Sequence, residues 1–117
     1  MIGIEWLIEA FGCAEVPLRD RAQLSALFDM IVNRMELRPV GEAAWHVFGN
    51  GGGATGVWML QESHLAIHTF PEYHSVCLNI FCCTRRSAPD WHSLFSTTLG
   101  ATDVRVRECE RVYHRSS

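Results

Sequence analysis

Apolar positions along the chain fall into two spacings, one of period two and one of period 3.6. Ile4 to Phe11 is an apolar, β-compatible run, and Cys13 to Pro17 breaks it. From Asp20 the spacing becomes Leu24, Leu27, Phe28, Ile31, Val32 and Met35, one face of an amphipathic helix, with Asp20 and Gln23 placed as a capping box. A second helix is predicted from Ser87 or Pro89 to Leu99, with Trp91, Leu94, Phe95 and Thr98 or Leu99 on one face, Ser87 at its start and Gly100 at its end. Between the helices, segments rich in β-branched and aromatic residues read as strands: Ala43 to Phe48, Gly56 to Gln61, Leu65 to Phe70 and Ser75 to Cys83. Val104 to Val112 follows the second helix as one more. The turn signals are Pro71-Glu72 and the stretch Gly49 to Gly53 (GNGGG), which reads as a mobile loop. Strands then helix, twice over, predict an α+β two-layer sandwich: an antiparallel sheet with two helices on one face. The other sheet face then needs a partner or a substrate pocket to cover it.

Composition narrows the class. The 117 residues are 48% hydrophobic and 20% charged, as expected of one globular domain over residues 1–117 and not of a disordered chain. No apolar run approaches the roughly 20 residues that span a bilayer, and MIGIEWLIEA carries acids where a secretory signal would be basic. The expectation is a soluble, cytoplasmic protein with no membrane partner. A net charge of −3 and a pI near 6.0 provide no basic field, so no nucleic-acid partner is expected. All ten cations are arginine, and without lysine there is no anchor for pyridoxal phosphate. Any amine–carbonyl chemistry must take its carbonyl from elsewhere. The five cysteines, odd in number and without C-x-x-C spacing, read as free thiols in a reduced compartment. Cys82 and Cys83 are adjacent, so a strand would point them to opposite faces.

Candidate chemistry concentrates in Glu62 to Glu72 (ESHLAIHTFPE). His64, His68, His74 and Cys83 are ligand types for a metal, yet on a strand His64 and His68 would stand about 13 Å apart. A hydrolase on Ser63 would want a G-x-S-x-G elbow, which is missing. A plain structural strand with satisfied polar residues is the third reading, and spacing alone leaves all three open.

The run ESHLAIHTFPEY, followed by a strand ending in IFCC, resembles the prokaryotic S-adenosylmethionine decarboxylase proenzyme family, whose signature is E-S-H-x-[ST]-I-H-T-W-P-E-Y and then D-[LIV]-F-T-C. The likeness extends to Phe11-Gly12-Cys13 closing the first strand, His46 and Phe48 before the glycine loop, and Asp90-Trp91 opening the second helix. The resemblance implies a self-processing, pyruvoyl-dependent decarboxylase. The hydroxyl of Ser63 attacks the carbonyl of Glu62, and His68 removes the Ser63 α-proton. Elimination then frees a β chain of residues 1–62 from an α chain of residues 63–117 that begins with a covalent pyruvoyl group formed from Ser63. That ketone is the carbonyl a lysine-free decarboxylase lacks, and a substrate amine condenses with it to an imine.

By the same resemblance Cys83 donates the proton that replaces CO₂, and Thr55, where the family has serine, assists processing. Phe48 and Phe70 stack the adenine, Phe70 replacing a tryptophan, while Glu72 binds the ribose hydroxyls. The implied partners are a small-molecule amino-acid substrate and a second copy, as a homodimer of αβ protomers, with no metal. S-adenosylmethionine is the expected substrate, its product feeding spermidine synthesis. Arginine or ornithine is the alternative, because GNGGGAT replaces the family's L-P-Y-G-V-S loop and Asn79 its aspartate. An unprocessed, non-catalytic paralogue that binds a partner is the competing class.

Overall fold

A computed structural model describes residues 2–115. Met1, Ser116 and Ser117, the outermost residues of the two expected chains, lie outside the described residues. In chain order the elements are β1 (Ile2–Phe11), α1 (Glu15–Arg19), α2 (Arg21–Arg34), β2 (Ala44–Val47), β3 (Ala54–Leu60), β4 (Ser63–Phe70), a 3-10 turn (Pro71–Tyr73), β5 (Ser75–Cys82), α3 (Trp91–Leu99) and β6 (Asp103–Val112). The strands form one antiparallel six-stranded sheet in the order β2-β3-β4-β5-β1-β6. This is the α+β two-layer architecture the sequence predicts.

Period two decides which face is which. Ile4, Trp6, Ile8 and Ala10 of β1, Leu65 and Ile67 of β4, and Val76, Leu78, Ile80 and Cys82 of β5 are buried and join one core with Leu24, Leu27, Phe28 and Ile31 of α2 and Leu94, Phe95 and Leu99 of α3. Registers such as Trp6 opposite Ile80 and Leu65 opposite Ile80 stack these side chains in layers under the helices. The intervening residues face the other way and leave the second sheet face open. Gly56 is required where Trp45 of β2 lies over β3, since a Cβ there would sit 2.3 Å from the indole ring. That ring packs on Phe28 of α2 at 4.8 Å between centroids.

Three local features differ from expectation. Cys13 to Pro17 does not simply break the chain: α1 forms there, because Pro17 falls in the first turn, where a missing N–H costs nothing. Asp20 caps α2 by accepting from the N–H groups of Ala22 and Gln23, but the box is not reciprocal: Gln23 donates to the Asp20 carboxylate, and the Asp20 N–H bonds to the Pro17 carbonyl. The helix after β5 begins at Trp91, with Asp90 and not Ser87 as its cap, the Asp90 carboxylate accepting from Ser93 N at 3.2 Å. Gly100 ends it at φ 72°, as expected.

Thr69 is the buried polar residue of this core and ties three segments together. Its hydroxyl accepts from Ala54 N at 2.8 Å and donates to the Leu18 carbonyl at 2.6 Å. Thr69→Val keeps the shape and orphans both groups, so it should destabilise the fold by about 1 to 3 kcal/mol. Urea unfolding checks this, and an unchanged midpoint would contradict it.

Candidate active site

The segment ESHLAIHTFPE begins in the two-residue turn Gln61-Glu62 that joins β3 to β4. Glu62 adopts φ 57°, the left-handed region that a residue with a Cβ enters at a cost of about 1 kcal/mol or more. The turn pairs Leu60 with Ser63 and brings the end of β5 alongside, where Ser63 pairs with Cys82. Around this corner Glu62, Ser63 and Cys83 line a cleft of about 180 Å³ with Leu37, Arg38, Gln61, Thr84 and Arg86. The Ser63 hydroxyl donates to the Gln61 carbonyl at 3.2 Å.

The Cys83 thiol donates to the Glu62 carboxylate at 3.2 Å. Burial pushes this thiol up, and the Glu62 carboxylate pushes it the same way as acceptor and as neighbouring charge, against the opposing charge of Arg86. Cys83 is therefore a protonated thiol at neutral pH, half-buried and beside Ser63. Cys82 points into the core, where burial carries its pKa up to about 11.

The remaining candidates gather at the far end of the same strand. The β3–β4 register sets Thr55 opposite His68, and Thr55 Oγ1 lies 3.0 Å from His68 Nδ1. Phe70 is half-buried at the end of β4, and Glu72 is exposed on the 3-10 turn that follows. Phe48, 52% exposed, sits where β2 ends and meets His46 edge-on at 4.5 Å. The glycine stretch beside it is not slack: Phe48 N donates to Gly53 O, Gly52 N to Gly49 O, and Arg19 Nε to Gly51 O at 2.7 Å.

These are two groups, not one. Ser63 and His68 lie five residues apart on β4, about 17 Å along a strand. Ser63 shares its face with the buried Leu65 and Ile67, His68 with Ala66 on the open side. Within one chain, strand geometry therefore holds His68 away from Ser63. A shallow cleft of about 280 Å³ does lie beside His68 on the open face, with Leu7, Glu9, Ala66, Cys77 and Asn79.

Sequence reading missed part of each group. At the Ser63 end, Arg38 and Arg86 join from segments remote in the chain, with no motif to mark them. On the open face, His64 Nε2 donates to the Asn79 carboxamide oxygen at 2.7 Å, and Asn79 Nδ2 donates to Glu5 at 2.5 Å. Arg111 pairs with the same Glu5 carboxylate. Burial acts to raise the Glu5 pKa, but the hydrogen bonds from Asn79 and Arg111 and the Arg111 charge outweigh it and hold the carboxyl below its usual range. His64, His68, His74 and Cys83 are spread among Asn79, Thr55, the Cys13 carbonyl and Glu62, and among the described residues no group of three or more His, Cys, Asp and Glu could hold a metal ion.

A helix-backed antiparallel sheet, with a serine and a protonated thiol at one hairpin corner and a threonine–histidine pair at the other end, defines the class as a small α+β protein with a strand-borne site. The model of the S-adenosylmethionine decarboxylase family matches residues 4–112, and the chain belongs to that family. The S-adenosylmethionine decarboxylase proenzyme of Clostridium tetani is 31% identical over 113 residues, spanning 94% of this chain and 86% of that protein. The proenzyme of Moorella thermoacetica is 32% identical over 112 residues, spanning 94% and 87%. Among solved structures, the adenosylmethionine decarboxylase of Aquifex aeolicus shares the fold with a TM-score of 0.76 over 99% of this chain and 96% of its own, at 20% identity. The family inferred from ESHLAIHTFPEY is the family found. No helix among the described residues is long and apolar enough to cross a membrane.

The two adjacent thiols separate cleanly by experiment. With Cys83 as the proton donor that the family likeness implies, Cys83→Ala should lower decarboxylation by about 10² or more, the usual scale of a lost general acid, whereas Cys82→Ala should mainly lower the unfolding midpoint. Because the Cys83 pKa is raised, the acid form persists as pH rises through the ordinary thiol range, near 8.5, and the basic limb of the rate profile should fall above it. Equal activity loss in both variants, with folding intact, would remove the assignment.

Proposed function

We propose that this chain is a self-cleaving, pyruvoyl-dependent decarboxylase acting on S-adenosylmethionine. The observation that carries the reading is the Glu62–Ser63 junction: a serine hydroxyl following a left-handed residue in a tight turn, with a protonated thiol in the same cleft. Ser63 Oγ attacks the Glu62 carbonyl carbon, and the peptide nitrogen leaves, giving an ester. A base removes the Ser63 α-proton, and the Cβ–Oγ bond breaks to free residues 1–62. The dehydroalanine left at residue 63 tautomerises to an imine, takes up water and loses ammonia, becoming the pyruvoyl terminus of residues 63–117, the carbonyl that this lysine-free chain otherwise lacks.

The residues present fit such a group. Residue 63 begins a strand at the rim of a cleft, half-buried, where an acetyl group close in size to the serine side chain would stand in place of the hydroxymethyl. The ketone supplies the electron sink for loss of CO₂ from an α-amino acid. Cys83 holds the proton that the former α-carbon needs, and its raised pKa keeps that proton in place at neutral pH.

His68 is the base for processing, but on the Ser63 of a second copy, since its own lies about 17 Å away on the opposite face. Two chains packed open face to open face, about a two-fold axis across β4, would lay the His68 end of one strand over the main chain of the other at Ser63, where the α-proton, and not the core-directed side chain, is what the imidazole must reach. Thr55 hydrogen-bonds the imidazole and orients it. The same packing brings Phe48, Phe70 and Glu72 of one copy toward the other's Ser63 cleft, aromatic faces for the adenine and a carboxylate for the ribose hydroxyls. The product, decarboxylated S-adenosylmethionine, serves spermidine synthesis. Such a site needs an αβ homodimer.

Purified protein should therefore contain chains of residues 1–62 and 63–117, the second blocked at its N-terminus, and Ser63→Ala should stay intact by mass spectrometry. His68→Ala expressed alone should also stay intact, yet be cleaved when co-expressed with Ser63→Ala, whose His68 can reach its Ser63. A His68→Ala chain that remains whole in the mixture would refute action across the pair. Substrate is read by CO₂ release from S-adenosylmethionine, arginine and ornithine supplied separately. Release from S-adenosylmethionine is expected, and Phe70→Ala should raise its KM by about threefold or more, the scale of one lost aromatic contact. Turnover of arginine or ornithine alone would replace the substrate and leave the cleavage chemistry standing.

A further inference from the structure

We propose that Arg38 and Arg86 are the counter-ions of the carboxylate that cleavage creates at Glu62. The inference rests on the self-cleavage proposed above. In the elimination, the proton on the Ser63 α-carbon goes to the base, and the electron pair of the Ser63 Cβ–Oγ bond goes to the ester oxygen. The leaving group is therefore the main-chain carboxylate of Glu62. A full negative charge appears at one known place, next to the Glu62 side chain, which is already a carboxylate. Two anions on one residue repel unless a cation is at hand.

Both arginines are at hand. They line the cleft that holds Glu62, Ser63 and Cys83. The Arg38 main chain is tied to the turn itself, its carbonyl accepting from Gln61 N at 2.8 Å while Pro39 bridges to Leu60. Arg86 comes from the segment after β5 and reaches across to donate to the Glu36 carbonyl at 3.4 Å. Arg19, Arg85, Arg105, Arg107 and Arg111 are each paired with an acid, and of the arginines in none of these ion pairs, Arg38 and Arg86 are the two that line this cleft. A guanidinium presents a planar pair of donors matched to a carboxylate, and donors waiting where charge develops lower the barrier to its formation.

The test follows cleavage of the full chain made by cell-free synthesis, sampled over time on denaturing gels with and without hydroxylamine, which splits the ester. Arg38→Gln with Arg86→Gln should slow conversion of the 13.2 kDa precursor by about 10-fold, less than a buried oxyanion donor would because both side chains are exposed to solvent. Hydroxylamine-sensitive precursor should accumulate in that variant, since ester formation precedes the affected step. The double lysine variant should recover part of the rate, and added salt should slow the unmodified chain but not the glutamine variant. In a Ser63→Ala background, where no new carboxylate forms, the glutamine substitutions should leave the thermal midpoint unchanged. A lower midpoint there would make the arginines structural and overturn the assignment, as would unslowed cleavage or slowing without ester. An unmodified chain that never cleaves would instead refute the parent reading, and this one with it.

Discussion

The side chains of a strand alternate, and an odd separation along β4 places its two ends on different faces of the sheet. Ser63 and His68 are held to that rule from both sides. The two-residue turn at Gln61-Glu62 fixes the register with β3, and Thr69 locks the other end by binding Ala54 and Leu18 at once. A slip of one residue would drive Leu65 and Ile67 into solvent and bring His64, Ala66 and His68 under the helices. The cost of that exchange is the burial of the whole core, so the register is not negotiable. The division of candidate residues into a hairpin group and a far-end group follows from packing before any chemistry is considered.

The two faces are satisfied by different physics. Beneath the helices, alternate residues of β1, β4 and β5 are apolar and buried. On the open face the sheet carries acids on β1 and arginines on β6 that pair across the ladder, Glu9 with Arg107 and Glu5 with Arg111. Exposed pairs of this kind contribute little to stability. Glu5 differs because Asn79 and His64 extend its contacts across β5 to β4, and its side chain is only 15% exposed. That chain of contacts ends one residue from Ser63, so the open face is polar yet ordered beside the hairpin.

Much of this was legible in the sequence where it rests on local periodicity. The two longer helices and the central strands β1, β4 and β5 follow from their apolar residues because each buries one face, while β2 and β6, which are mostly exposed, were marked by their β-branched and aromatic residues. The helix α1 escaped notice because five residues are too few to show a period, and Pro17 suggests a break unless its place in the first turn is known. Local spacing alone leaves the start of α3 at Ser87 or Pro89, whereas the family likeness puts it at Asp90-Trp91, where the Asp90 cap lies. Glu62, Ser63 and Cys83 were legible through the family's motifs, whose residues are contiguous. That His68 faces away from Ser63 was implicit in the alternation used to separate Cys82 from Cys83. Arg38 and Arg86 carry no local signature, since only the return of two segments to one corner places them there.

The cleft at Ser63 is also small. A pocket that encloses a ligand of nucleoside size measures roughly 300 to 1,000 Å³. The cleft at Ser63 measures about 180 Å³, and its walls are polar and charged, with Leu37 as its sole large apolar lining residue. Such a space suits the amino-acid end of a substrate, where a serine-derived ketone and a thiol proton would be needed, and cannot also enclose an aromatic base. The rings able to stack on a base, Phe48 and Phe70, lie at the opposite end of the β3–β4 hairpin from that cleft. The hairpin thus keeps the two groups apart within one chain, and the homodimer proposed above is what would bring a reacting end and a stacking end together.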